Sequence, residues 1–338
     1  MSETIRPGEA TGAVVPPPDP ERSTVVVVLG AGRSGTSAIT RGLAALGVDL
    51  GDKLRAGSGK NPTGFFEDLD CLAIAKKLKN RLDIRGHSLR LIDDSEWQTP
   101  AVQSLVAEAA GVWGPRFGGA PLWGYKYART LRTLPFWARV HEALDLDVRY
   151  LVALRNPLSV ARSRAKINPQ RGRQAWSDLE WLVNVVPYFG TVMERPCAVV
   201  DFDRMMAEPE AQLARVARDL GLPLGEGERA GIEEYATQFL QQDKPSTRFT
   251  RDDLWADPQV NRWTAEGYTL LNKVANDELR LNDAEFVERW ANIQAAVTDL
   301  GPLLSEFDYL RGQLVRAGWN PASPVEQARQ VWRDLRSR

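Results

Sequence analysis

Residues Gly30 to Ser37 read GAGRSGTS, an order that sets one guanidinium and three hydroxyls among three glycines. Residue types in that pattern suit the holding of an anion. Gly30, Gly32 and Gly35 are expected to let the backbone turn tightly. Backbone N–H groups and the positive end of a following helix dipole then converge on one charged group. The elements needed to present such a loop flank it. Val25 to Leu29 form a continuous apolar run of the kind found in buried parallel strands, and the chain from Ser37 onward has helical spacing.

The identity of the anion depends on where the cation stands. A nucleoside-triphosphate loop, G-x-x-x-x-G-K-[ST], places a Lys after its second glycine and a hydroxyl on Mg²⁺. Aligned on Gly30 and Gly35, this chain has Thr36 at the Lys position and Ser37 at the hydroxyl position, while Arg33 puts the cation inside the loop. A second segment adds to this. Arg149 to Leu154 is another short apolar strand, it ends in Arg155-Asn156-Pro157, and the helix expected after the proline carries Ser163. A forked guanidinium with one hydroxyl suits a phosphomonoester, each charge-assisted bond contributing about 1.5–3 kcal/mol. Taken singly, an Arg closing a strand is commonly a surface ion-pair partner, and a helix Ser is commonly solvated.

The order basic residue, Ser, Gly, Thr, Ser/Thr in the loop, followed by Arg155 and Ser163, resembles the sulfotransferase family. Three further stretches are similar to it in order: NPTGFFED from Asn61, LWGYKYAR from Leu122, with Tyr127 and Ala128 where many members have Asp-Pro, and CAVVDFD from Cys197. The resemblance covers about residues 23–250 and implies a co-substrate, 3′-phosphoadenosine 5′-phosphosulfate (PAPS). Gly32, Arg33, Ser34, Gly35, Thr36 and Ser37 would grip its 5′-phosphosulfate, and Arg155 and Ser163 its 3′-phosphate. Arg248, in KPSTRF, would close over the 3′-phosphate or adenine. It further implies an α/β, three-layer architecture with a central parallel sheet, the P-loop NTPase-like sulfotransferase fold. No metal is required, because PAPS has no β–γ phosphate bridge. Catalytic roles fall to Arg33, to Lys126, which with Arg129 is expected near the pocket mouth, and to a general base.

The base is not given by a motif. The His that small-molecule members place soon after the Lys is missing, since Tyr127 and Ala128 follow Lys126. Glu67, flanked by Phe65 and Phe66, is the candidate; the competing reading is a solvated acidic helix start with Asp68 and Asp70. His87 is a reserve, and His141 fits a helical pattern as a satisfied side chain. Two rival classes remain open: a P-loop kinase-like nucleotide binder, for which Asp201 could close a strand, and a noncatalytic nucleotide-binding relative.

Composition sets wider bounds. The chain has 338 residues, 43% of them hydrophobic, and a formal net charge of −1, which excludes a wholly basic nucleic-acid-binding face. Two cysteines and two histidines lack metal-site spacing and fit a reducing compartment. Residues 1–22 read as a disordered lead without a signal or membrane span, so a cytoplasmic protein is expected. Residues 23–250 would form the α/β domain, with strands near 24–30, 121–126, 148–154 and 196–201. Helices are predicted near 36–47, 68–82, 98–113, 132–144, 157–165, 174–193 and 208–220. Residues 251–338 would form a helical C-terminal extension. There Phe286, Trp290, Ile293, Val297, Leu300 and Leu304 recur at steps of four and three, the seam of a packed helix. Pro302 should interrupt it, with further helices at 303–315 and 324–336. The seam can pack on its own domain or serve a homodimer. The acceptor is a carbohydrate, a lipid-linked glycan or another hydroxylated small molecule. Trp97, Trp113, Trp123, Trp137 and Trp176 either stack on a sugar or pack.

Overall fold

The computed structural model describes residues 15–57, 64–84, 88–240 and 248–317. A four-stranded parallel sheet lies at its centre, in the order β2-β1-β3-β4, with β1 Thr24–Gly30, β2 Leu122–Lys126, β3 Asp147–Leu154 and β4 Cys197–Asp201. All seven residues of β1 are buried, as a strand covered on both faces must be. Val25, Val27 and Leu29 enter one hydrophobic cluster, and Val26 and Val28 enter another, so alternate side chains feed two cores.

Helices α1 Thr36–Ala45 and α2 Leu69–Arg81 follow β1, then α3 Pro100–Phe117 leads into β2, and α4 Leu134–Ala143 into β3. After β3 come α5 Pro157–Ala165, α6 Gln174–Val185 and α7 Phe189–Met193. Following β4 are α8 Phe202–Ala207, α9 Pro209–Asp219, α10 Glu226–Glu234, α11 Arg251–Ala256, α12 Arg262–Ala275, α13 Ala284–Asp299 and α14 Gly301–Arg316. Helices α1, α9 and α10 supply the second cluster, while α2, α3, α4, α6, α12 and α13 supply the first, giving three layers. The single helix expected at 174–193 is two, parted around Pro187, whose ring cannot continue the ladder. Pro302 stands just past the expected interruption, α13 ending at Asp299 and α14 beginning at Gly301. It lies in the first turn of α14, where its missing N–H has no partner to lose.

The seam residues Phe286, Trp290, Ile293, Val297 and Leu304 are buried within the chain, and Trp290 packs 4.4 Å from the ring of Phe189. The helix expected at 324–336 and residues 1–14 lie outside the described residues. Four of the five tryptophans considered for sugar stacking are core. Trp113 stacks on Trp137 at 5.2 Å and meets Trp123 edge-on at 5.5 Å, and the buried Trp97 donates to the Tyr188 hydroxyl. Trp176 is half-buried and donates to Glu180. Both cysteines are free. Among the described residues, no helix is long and apolar enough to cross a membrane, and no cluster of three His, Cys, Asp or Glu side chains could hold a metal ion.

Candidate functional site

The glycine loop leaves the carboxyl end of β1, where ligands of parallel sheets bind. Its sharp turns fall at Gly30, Arg33 and Gly35, with φ of 139°, 80° and 77°. Gly32 does not adopt a left-handed conformation, so the expectation that it serves the turn is corrected. A Cβ built there would meet no described atom within 4 Å, so Gly32 keeps the loop's outer surface open. Gly35, by contrast, is required by contact. A Cβ there would lie 2.0 Å from the Phe202 ring. Gly35 is also the N-cap of α1 and offers no capping side chain, so the helix N-terminus presents its backbone donors at the loop. Ser34 and Thr36 are buried beneath the loop.

Arg33 and Ser163 come together across 130 residues: the Arg33 Nε–H donates to Ser163 Oγ at 3.0 Å. Ser163 sits on α5, which starts at the end of β3 because Pro157 occupies its first turn and the Asn156 carboxamide caps the Leu158 N–H. Arg155, between strand and cap, is 8% exposed, and its guanidinium carbon stacks 4.7 Å over the Phe202 ring. Burial, with Arg33 nearby, lowers its pKa, against the pull of Asp203 and Asp201. Among the described residues, its buried Nε–H has no hydrogen-bond partner. An orphaned guanidinium N–H at a strand end is the feature a bound phosphate would explain. Arg248 is exposed and within electrostatic reach of Asp203, which faces Arg155. Its segment is held at the strand end, since Asn156 Nδ2 donates to the backbone oxygens of Phe249 and Thr250 at 3.2 and 2.9 Å.

A second cluster lies at the other side of the loop. Lys126, the last residue of β2, is buried rather than at a pocket mouth, and its ammonium contacts Glu67 Oε1 at 3.2 Å and Ser37 Oγ at 3.3 Å. Burial lowers the Lys126 pKa, opposed by Glu67. The second Glu67 oxygen pairs with Arg55 at 3.0 Å, and Arg55 stacks over Phe65 at 4.2 Å. Glu67 is therefore not part of a solvated acidic helix start. Asp68 is not solvated either: buried, it caps α2 through the Cys71 N–H and pairs with Arg116. Arg55 was invisible to motif reading. Only the antiparallel bridge Leu54–Asp68 brings it there, and no residue pattern announces that bridge.

Other candidates separate from the site. His141 is buried in α4, its Nε2 is 3.0 Å from the Tyr125 hydroxyl, and burial lowers its pKa to about 3. His87, Asn61 and Pro62 lie outside the described residues. Asp201 caps α8 through the N–H groups of Asp203 and Arg204 and accepts from Tyr268 and Asn272, so its carboxylate is occupied by structure.

No family model matches the chain, and no curated protein matches it. Among solved structures it is similar to sulfotransferase STF1 from Mycobacterium tuberculosis H37Rv, at 14% identity over 65% of this chain and 75% of that one, with a TM-score of 0.38. Sulfotransferase STF9 from Mycobacterium avium is 17% identical over 82% of this chain and 76% of its own, with a TM-score of 0.42. The sulfotransferase domain of the Synechococcus PCC 7002 olefin synthase is 12% identical over 86% and 98%, with a TM-score of 0.40.

Proposed function

We propose that this protein is a PAPS-dependent sulfotransferase acting on a hydroxyl, or less favourably an amine, of a carbohydrate or other small acceptor. The observation that carries the reading is the buried Nε–H of Arg155, without a partner among the described residues, beside a loop whose cation, Arg33, is already tied to Ser163. Arg155 and Ser163, with Arg248, would hold the 3′-phosphate end, and Arg33, the loop N–H groups, Ser34, Thr36 and Ser37 the 5′ end. In the transfer the acceptor oxygen bonds to sulfur, the bond from sulfur to the phosphate oxygen breaks, and its electron pair stays on that oxygen. Arg33 and Lys126 would neutralise the charge that develops. Glu67 takes the acceptor proton. Its fixed position between Lys126 and Arg55 suits a base that must not wander.

A kinase-like reading lacks the Lys after Gly35, and Asp201, the acidic residue it would use, is committed to capping α8. Titration calorimetry with 3′,5′-adenosine diphosphate and with ATP–Mg²⁺ tests the proposal, followed by transfer of ³⁵S from labelled PAPS to an acceptor panel. Tight binding of the former with no response to ATP–Mg²⁺ is the expected result; the reverse overturns it.

A further inference from the structure

Among the described residues, five other than glycine hold a φ in the left-handed region. Asp83, Asp145 and Asp277 belong to a type whose short side chain tolerates it. The other two, Arg33 and Phe66, both stand in the proposed site, and Arg33 turns with the glycine loop. Phe66, at φ 50°, is the outlier: in that conformation the Cβ of a bulky residue crowds the following carbonyl oxygen. Backbone of this kind persists only where its surroundings hold it. Phe66 lies one residue before Glu67, so its conformation sets the direction in which the carboxylate leaves the chain. Relaxation to the ordinary negative range would turn the backbone about the Phe66 N–Cα bond by roughly 100°, and Glu67 with it.

Three contacts hold the turn. On its near side Ser37 Oγ donates to the Phe65 carbonyl at 3.3 Å, and on its far side the Arg55 N–H donates to the Glu67 carbonyl at 2.8 Å. Those bonds anchor the chain before and after Phe66, and the ring anchors the residue between them. Phe66 meets Phe239 edge to face, with ring centroids 6.2 Å apart and planes at 72°. Phe239 ends the π-helical turn Tyr235–Phe239 that follows α10, and it is itself braced. Its ring stacks on Tyr235 at 5.6 Å, and the guanidinium of Arg41, on α1, lies over it at 5.8 Å. The Tyr235 hydroxyl donates to the Ala38 carbonyl at 2.9 Å, also on α1. The strained residue is thus tied to the helix that starts at the glycine loop, through a turn type that is rare and concentrates at functional sites. Phe65 and Glu67, on either side of it, both reach Arg55, and Lys126 takes the other carboxylate oxygen.

We propose that Phe66 is a positioning residue for Glu67 and that Phe239 is the clamp that keeps it in its left-handed turn. The inference rests on the sulfotransferase reading, with Glu67 as base, for its effect on rate; the placement of Glu67 is measurable without turnover. Phe66→Ala, Phe239→Leu and Phe66→Tyr are compared with the parent, each shown folded by its thermal midpoint, and the first two are repeated with Glu67→Gln. Phe66→Ala and Phe239→Leu are expected to lower kcat at least tenfold, while calorimetric affinity for 3′,5′-adenosine diphosphate stays within threefold. Phe66→Tyr, which keeps the ring, should stay within threefold in both. On the Glu67→Gln background the two substitutions should lower the residual rate less than twofold, since no base remains to be placed; a role in general packing would lower it as much as in the parent. Crystal structures of Phe66→Ala and Phe239→Leu should show the Glu67 carboxylate out of hydrogen-bond reach of the Lys126 ammonium. An intact Glu67–Lys126 pair in both, a full rate loss on the Glu67→Gln background, or parent-like kcat in both overturns the proposal. Should Phe66→Ala not fold, Phe239→Leu decides by the same rate and structure. A parent protein that transfers the sulfuryl group to no acceptor sinks the sulfotransferase reading alone, and the two structures still decide the placement.

Discussion

Lys126 Nζ lies 3.2 Å from Glu67 Oε1, and each side chain is less than a tenth exposed. A buried ammonium and carboxylate at the end of a strand cost desolvation on both sides, and such pairs are weak evidence of stability for its own sake. Their place between Ser37 of the loop and Arg55 gives the pair a chemical use. Glu67→Gln is expected to reduce sulfuryl transfer at least roughly 100-fold while donor-product affinity stays within about threefold. Glu67→Ala should also lose about 3 kcal/mol of stability by stranding Lys126, as urea unfolding would report. Near-normal turnover of Glu67→Gln would remove it as the base.

Arg155→Ala is expected to weaken 3′,5′-adenosine diphosphate binding roughly 10- to 100-fold, the loss of one charge-assisted contact, with an unchanged circular dichroism spectrum. Arg155→Lys should recover little, because an ammonium offers no planar fork and stacks poorly on Phe202. Calorimetry on the two variants decides it.

The loop glycines should behave oppositely. Gly35→Ala meets both a left-handed backbone and the Phe202 ring at 2.0 Å, and is expected to destabilise the fold by about 2–4 kcal/mol. Gly32→Ala meets nothing, so its thermal midpoint should match the parent while donor-product affinity falls tenfold or more. Parent-like binding by Gly32→Ala would mean that no ligand approaches that surface.

His141 predicts the acid limb of stability. Its folded pKa, lowered to about 3 by burial and then by Arg195, lies below its unfolded value, so between those values the unfolded chain binds the extra proton. The stability that His141 contributes therefore falls as pH drops from about 6.5, by about 2 kcal/mol at pH 5. Glu180, held at about 2, adds to the loss only at lower pH, while Asp178, raised to about 6 by burial, works the other way between its unfolded value and pH 6. Urea midpoints from pH 4.5 to 7 should show a shallower slope for His141→Asn, and equal slopes would refute the assignment.

The strands and most helices before β4 were legible because their signals are local: Val25 to Leu29 and Pro157 to Ala165 lie where apolar runs and a proline at a helix start put them. Arg33, Ser163, Arg155 and Arg248 were legible as residue types in order. The first three are grouped by β3 pairing with β1, and the segment of Arg248 is brought in by Asn156, both contacts between distant segments. What sequence could not disclose is of the same kind. Arg55 reaches Glu67 through an isolated bridge, Phe202 turns a helix start into the platform between Gly35 and Arg155, and Phe66 meets Phe239 from the turn after α10. Lys126 reads as a cation near a pocket mouth because nothing in its strand reveals that Glu67 roofs that end.

Asn156 holds the backbone of Phe249 and Thr250 from 93 and 94 residues away. During synthesis the loop, Arg33, Ser163 and Arg155 leave the ribosome long before the segment that bears Arg248. The four strands are thus all made while one side of the proposed donor pocket is still unbuilt. In the proposed enzyme, donor capture would be deferred until residues beyond α10 have been made, and α12 and α13, which complete the first hydrophobic cluster, come later still.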